Sequence, residues 1–280
     1  MPLLNGKIIA EQILSSLKNQ ISHLNKVPGL AVILVGNDPA SHLYVSLKEK
    51  ACKKVGIYFE KNLFPETASS DEIIKKIIEL NERHDIDGIL VQLPLPNQDT
   101  DKIIAVMEPN KDVDGFHPEN LRRLETGEPC LISPVVLGVM KLLAETQELL
   151  AGKTAILVMS QIFAQPFKNA LNKKEIKVEI VSAENLNLSE KIKNGDVIIT
   201  AVGQPGLITG ELIKSGAIVI DVGTTKVNGK VLGDVETASV EKKAAWLTPV
   251  PGGVGPMTVA MLVQNVIQAA SLHEPPQSKL

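Results

Sequence analysis

GLAVILVG, residues 29–36, is an unbroken apolar run closed at both ends by glycine. A strand with one wet face alternates polar and apolar residues, whereas a run that is apolar throughout suits a strand covered on both faces, as parallel sheets are. Outward from it, residues 7–24 carry a helical pattern, and a helix through YVSLKEKACKKVG (residues 44–56) follows. A short strand at IYFE (57–60), a helix over residues 70–83 and a strand GILVQL (88–93) complete the series. Strand and helix signals in alternation predict an α/β fold with a parallel sheet.

Between residues 109 and 131 proline, asparagine, aspartate, glycine and charged residues replace the periodic pattern, which predicts a domain junction near Asn120. A second alternating series follows: a helix through VMKLLAETQELL (139–150), KTAILVM (153–159), a helix near PFKNALNKK (166–174), KVEIVS (177–182), DVIITAV (196–202) and AIVIDVG (217–223). This predicts a second parallel sheet.

TPVPGGVGPMT, residues 248–258, then packs three prolines and three glycines into one short segment. Prolines fix φ and glycines permit close backbone approach, so the run reads as a rigid loop that a ligand can press against. Val259, Leu262, Val263, Val266 and Ile267 place a helix over residues 259–270, which returns the chain to the first domain. The expected domains are residues 1–120 with 257–280, and residues 121–256. The tail HEPPQSKL, residues 273–280, reads as disordered.

The 280 residues suffice for two domains of ordinary size. With 29 basic against 32 acidic residues and a formal charge of −3, nothing points to nucleic acid or a membrane surface as the main partner. A small-molecule ligand is expected instead. No apolar run approaches the roughly 18 residues of a membrane span, and the start, MPLLNGKIIAEQIL, has no basic region followed by an apolar core, so a cytoplasmic protein is expected. Cys52 and Cys130 have no metal-ligand spacing to each other or to the histidines, so reduced thiols and no metal site are expected.

Tyr44 and Lys48 are four residues apart and share a helix face. In a partly dry cleft the lysine would lose proton affinity and could exchange a proton near neutral pH. Taken alone, the favoured reading is a solvated surface lysine beside a half-buried tyrosine. Gln92 ends a strand just before LPLP, at the carboxyl edge where open α/β sheets bind ligands; it reads equally as an ordinary strand-end polar residue. Asp112 and Asp114 precede Gly115 in KDVDGFHP without the glutamate that a calcium loop requires. They read as turn residues, or one of them as a carboxylate pairing with an amidine-like ligand edge.

Taken together and in this order, YVSLK, DGILVQLPLP, KDVDGFHPEN, AIVIDVG and PVPGGVGPMT resemble the bifunctional methylenetetrahydrofolate dehydrogenase/cyclohydrolase family. The resemblance runs nearly end to end. It implies an N-terminal α/β catalytic and folate-binding domain joined by long helices to a Rossmann-like NAD(P)-binding domain, with folate between them. It implies Lys48 as the catalytic lysine, Gln92 as its hydrogen-bond partner, Tyr44 stacking near the pterin and Asp114 on the amino-pyrimidine edge. Val91, Leu93 and the backbone of Pro251, Gly252, Gly253, Val254 and Gly255 would line the rest of the folate site. NADP or NAD would meet Val158, Met159, Ser160, Ala183 and Thr224. A homodimer through residues 177–181 is implied as well.

The chain departs from the family pattern where a dinucleotide would bind. Val158 and Ala164 stand at the usual glycine positions and Met159 where arginine is common, while Ser160 and Pro166 match. A Cβ at the glycine positions is expected to crowd the pyrophosphate. Ser182, Ala183 and Glu184 replace the usual histidine, serine and lysine, and a carboxylate there disfavours the ribose phosphate of NADP. The segment from Cys130 to Val136 also differs, with Leu131, Ile132, Ser133 and Pro134 following the cysteine. Two other readings stay open: a cyclohydrolase that has lost its dinucleotide site, and a folate-binding or regulatory module without turnover.

Overall fold

The computed structural model describes residues 3–273. In chain order the elements are α1 (Gly6–Ile21), β1 (Gly29–Val35), α2 (Pro39–Val55), β2 (Tyr58–Phe64), α3 (Ser70–Glu82), β3 (Gly88–Val91), α4 (Thr100–Ala105) and α5 (Pro118–Thr126). There follow α6 (Pro134–Glu145), β4 (Thr154–Val158), α7 (Gln161–Asn172), β5 (Lys177–Val181), α8 (Leu188–Lys193), β6 (Val197–Thr200) and β7 (Ile218–Asp221). The chain ends with β8 (Thr225–Val227), β9 (Lys230–Leu232), α9 (Thr237–Val240), β10 (Trp246–Leu247) and α10 (Val254–His273). The tail after His273 lies outside the described residues.

The residues fall into two compact units, one of Glu11–Pro134 with the residues from Val259 onward, the other of the residues up to Ala10 with Val135–Thr258. This division differs from the expected junction near Asn120. Lys111, Asp112 and Asn120 of the 109–120 loop are buried and spend their side chains inside the first unit. Asn120 Nδ2 donates to Pro109 O at 2.8 Å and Asp112 Oδ2 at 3.1 Å, and buried Lys111 donates to the carbonyls of Leu80, Asn81 and Arg83 at the end of α3. Polar residues that turn inward to backbone, as Lys111 and Asn120 do, read like a linker and behave like a brace.

The first unit holds a parallel sheet in the order β2-β1-β3. Its central strand β1 is buried at all seven positions, as its apolar run requires. Ile73, Ile77 and Leu80 of α3 form one helical stripe with no exposed surface and pack with Ile33, Ile89 and Ile103. Each such side chain contributes about 1.5–3 kcal/mol. A capping box between Ser69 and Glu72 fixes the start of α3.

The second unit holds a parallel sheet in the order β10-β7-β6-β4-β5, which in chain order is the doubly wound pattern with its switch point between β4 and β6. Ile156, Val158, Ile198 and Val219 belong to its core. The β8–β9 hairpin turns on Asn228 and Gly229, both at positive φ, the Asn-Gly pair that a two-residue hairpin loop favours.

Several elements differ in extent from the sequence expectation: β2 runs on to Phe64, and α6 spans Pro134–Glu145 where the sequence predicts a helix over residues 139–150. α10 begins at Val254, five residues before the predicted start, so Gly255 and Pro256 of the glycine-rich segment are helical. A proline is tolerated in a first turn because its missing N–H would have no partner there. Among the described residues no helix is long and apolar enough to cross a membrane, no disulfide joins Cys52 and Cys130, and no group of three or more His, Cys, Asp or Glu could hold a metal ion.

Candidate active site

β1 ends at Gly36, and Asp38 caps the next helix by accepting from Ser41 N at 2.8 Å, with Pro39 in the first turn. That start sets the rotation of α2. Its buried positions are Ser41, Val45, Lys48, Ala51, Cys52 and Val55, so Lys48 stands in the stripe that an amphipathic helix reserves for apolar residues. It is only 9% exposed. The expected surface lysine is thus a buried one, and desolvation lowers its pKa while nearby Asp114 and Cys52 oppose the shift. Tyr44 lies half-buried one turn earlier on the same helix.

Lys48 Nζ donates to Gln92 Oε1 at 2.9 Å, and Gln92 Nε2 donates to Leu93 O at 2.7 Å. Gln92 N in turn donates to Ile33 O, which extends the β1–β3 ladder and fixes where the side chain leaves the sheet. The cis Leu93–Pro94 bond follows directly. Val91 is buried in the core, so only its backbone is available to a ligand, whereas Leu93 is partly buried against the same core.

Asp112 and Asp114 differ in their surroundings. Asp112 is the turn residue: it is 1% exposed and accepts from Gly115 N, His117 N and Asn120 Nδ2. Asp114 makes no hydrogen bond among the described residues and is half-buried. Burial pushes its carboxyl up to about 6, although Lys48 pulls the other way. Lys48, Gln92 and Asp114 therefore form one electrostatic group within the first unit.

The segment from Pro251 to Gly255 belongs to the second unit. Val250–Pro251 is cis, Gly252 has φ of 109°, and Gly252 O accepts from Lys7 N at 2.9 Å. A side chain at Gly6 would collide with Gly253 O, and one at Gly253 would come within 2.6 Å of Pro249 O. Val254 is buried, while Pro251 and Gly255 are exposed, with open space beside the α-carbon of Gly255.

At the switch point of the second sheet, Val158 and Met159 have 0% and 1% exposure, and Val158 packs in the core with Val181 and Ile198. Its Cβ is committed to the interior. Ala164 is also fully buried on α7. Ser160 is exposed and caps α7, its hydroxyl accepting from Phe163 N at 3.4 Å. Ala183 is partly exposed after β5, Glu184 is exposed beside it, and Thr224 is exposed after β7.

Two buried carboxylates shape the neighbouring loops and escaped the sequence reading. Asp234 accepts from Thr200 Oγ1, Val202 N and Gln204 N, holding the chain where it leaves β6. Asp221, pushed up to about 6 by burial, accepts from Gly223 N, Asp234 N and Val235 N. Their signal was an aspartate closing the apolar strand IVID and another in GDV, each beside a glycine whose Cβ would strike the opposite carboxyl.

A parallel unit with a desolvated lysine at its strand ends, accompanied by a doubly wound unit with a capped helix after its first strand, is the build of a two-domain nucleotide-dependent α/β enzyme. Residues 4–114 match the model for the tetrahydrofolate dehydrogenase/cyclohydrolase catalytic domain, and residues 133–274 match that for its NAD(P)-binding domain. The chain belongs to the tetrahydrofolate dehydrogenase/cyclohydrolase family. It is 47% identical over 276 residues to the bifunctional protein FolD of Nitratiruptor sp., covering 96% of this chain and 98% of that one. The crystal structure of the bifunctional enzyme FolD from Campylobacter jejuni superposes with a TM-score of 0.95 at 39% identity, covering 98% of this chain and all (100%) of that one. The Trypanosoma brucei methylenetetrahydrofolate dehydrogenase-cyclohydrolase, complexed with NADP and an inhibitor, gives 0.93 at 32% identity, over 98% of this chain and 100% of that one.

Proposed function

We propose that this chain oxidises methylenetetrahydrofolate to methenyltetrahydrofolate with NAD(P) and hydrolyses the product to formyltetrahydrofolate, a step of one-carbon metabolism. The observation that carries the reading is Lys48, 9% exposed and bonded to Gln92 at the carboxyl end of β3.

In the oxidation, a hydride leaves the one-carbon bridge and the remaining cation is shared by two nitrogens; the nicotinamide, when bound, supplies the acceptor. The chain's contribution to this step is orientation. Asp114, whose carboxylate makes no hydrogen bond among the described residues, accepts from the amino-pyrimidine edge of the pterin, and Tyr44 stacks against the ring. Backbone groups of Val91 and Leu93 add to the folate contacts.

Hydrolysis adds water to the cationic carbon. As the oxygen bonds to carbon, neutral Lys48 takes one of the water's protons; the carbon–nitrogen bond then breaks and the other proton ends on the released nitrogen. Burial favours the neutral amine that this step uses, and Gln92 aims it.

The second unit's residues fit a dinucleotide. Ser160 opens α7 at the switch point, Val158 and Ala164 turn their side chains inward, and Asp234 fixes the chain leaving β6. Backbone at Val158, Met159 and Ser160, with Ala183 and Thr224, would hold it. Exposed Glu184 repels a ribose phosphate, which supports NAD over NADP. The rival reading is a cyclohydrolase without a cofactor.

Calorimetric titration with NAD and NADP, together with nicotinamide absorbance under turnover, separates the two. Binding and reduction are expected, stronger with NAD. Silence with both cofactors beside active hydrolysis leaves the hydrolase alone.

A homodimer is supported by β5, which is an edge strand of the second sheet and can pair across a two-fold axis. Sedimentation at micromolar concentration should show it, and monomer alone would remove it. The cytoplasm is the compartment this reading implies.

A further inference from the structure

α10 is apolar where it packs, with Met261, Leu262, Val263, Val266 and Ile267 all buried. Among them stands Asn265, with 0% exposure. A polar side chain in such a stripe costs stability unless its groups are partnered. Only half of this one is. Nδ2 donates to Val113 O at 2.9 Å and to Ile132 O at 2.8 Å, across 152 and 133 residues of sequence, while Oδ1 is buried with no partner among the described residues. The amide cannot turn over, because its oxygen would then face both carbonyls.

The two acceptors are not arbitrary carbonyls. Val113 immediately precedes Asp114, and Ile132 precedes Ser133, whose backbone nitrogen would lie 2.5 Å from a Cβ on Gly115. Asn265 therefore clamps the two chain segments that meet at the Asp114 turn. Asp112 secures the same turn from the other side, through Gly115 N and His117 N. Asp114 itself makes no hydrogen bond among the described residues, so beyond the charge of Lys48 its placement depends on the backbone of the turn.

We propose that Asn265 is a positioning residue that holds the Asp114 carboxylate at the angle needed to receive the pterin edge. The proposal rests on Asp114 as the pterin-binding group. A leucine at position 265 fills the space but leaves two buried carbonyls unpaired and the turn free to drift. Displacement of about 1 Å at such a group weakens substrate capture by on the order of tenfold or more.

The test compares Asn265→Leu, Asn265→Ser and Asp114→Asn with the parent protein in methenyltetrahydrofolate hydrolysis, with amide hydrogen exchange over residues 111–120 and thermal midpoints on the same samples. Asn265→Leu, assayed well below its midpoint, should raise KM on the order of tenfold with kcat within about threefold, and exchange at Gly115–His117 should quicken. Asn265→Ser, which keeps one donor, should fall between. An unchanged KM in Asn265→Leu overturns the proposal, whether or not its midpoint falls, since a purely structural asparagine would alter stability alone. If Asn265→Leu does not fold, the KM of Asn265→Ser decides in the same way. Asp114→Asn reports separately: an unchanged KM there removes the pterin role of Asp114 and the proposal with it, whereas a raised KM there beside an unchanged one in the Asn265 variants removes the positioning role only.

Discussion

Lys48 Nζ sits 2.9 Å from Gln92 Oε1, and the other end of that amide is anchored on Leu93 O. The anchoring dictates which end of Gln92 the lysine meets: an acceptor that carries no charge. A neutral acceptor orients the amine without restoring the proton affinity that burial removed.

Gln92→Glu should therefore damage hydrolysis through charge rather than shape. A carboxylate in that place stabilises the ammonium form, so the pKa of Lys48 rises and the neutral fraction at a given pH falls. The acid limb of the hydrolysis profile should move up by about 1–3 pH units. A pH–rate series on parent and variant reads this directly, and coincident limbs would show that Gln92 does not tune the lysine.

Asp114 should make the protein less stable as pH rises. Its pKa goes from 3.8 to about 6 on folding, because burial opposes the charge, so between those values the folded chain keeps a proton that the unfolded chain has lost. Stability is full below the lower value and is lost through the upper one. Asp114→Asn has no such group. Its stability, followed by thermal midpoint, should match the parent's near pH 4 and exceed it near pH 7.5, by up to about 3 kcal/mol in free energy, while its folate binding weakens. Equal midpoints at both pH values would mean that Asp114 is not desolvated.

Val158→Gly restores the family's letter and should harm the fold. The valine has 0% exposure and packs in the core of the second unit, so its removal leaves a cavity and a floppier strand. A loss of about 2–4 kcal/mol in urea unfolding is expected, with no gain in nucleotide affinity. Tighter dinucleotide binding in the variant would show that this Cβ obstructs the site after all.

Much of this architecture was legible from local pattern. The apolar run at β1 and the alternation after it gave the parallel sheets, because periodicity and glycine punctuation are short-range signals. The burial of Lys48 is not read from the residues alone, which favour a solvated lysine, although positions 41, 45, 48, 52 and 55 make one helical stripe that includes Val45, Cys52 and Val55. What local pattern hid was partnership at a distance. Lys111 on the end of α3, Asn265 on Val113 and Asp234 on Val202 join residues 28 to 152 positions apart, and nothing in their immediate neighbours announces the pairing. The 109–131 segment looked like a junction for the same reason. Its Lys111, Asp112 and Asn120 point inward to backbone, and composition cannot tell an inward polar group from a solvated one.

In the proposed mechanism Lys48, whose proton affinity burial lowers, moves the proton when the methenyl cation is hydrolysed. Lys48→Met keeps the side chain's length and burial but has no amine. Its hydrolysis rate, measured with folate binding on the same preparation, should fall by about 10²–10⁴ while the dissociation constant stays within about threefold. Hydrolysis within about threefold of the parent rate would take Lys48 out of the mechanism.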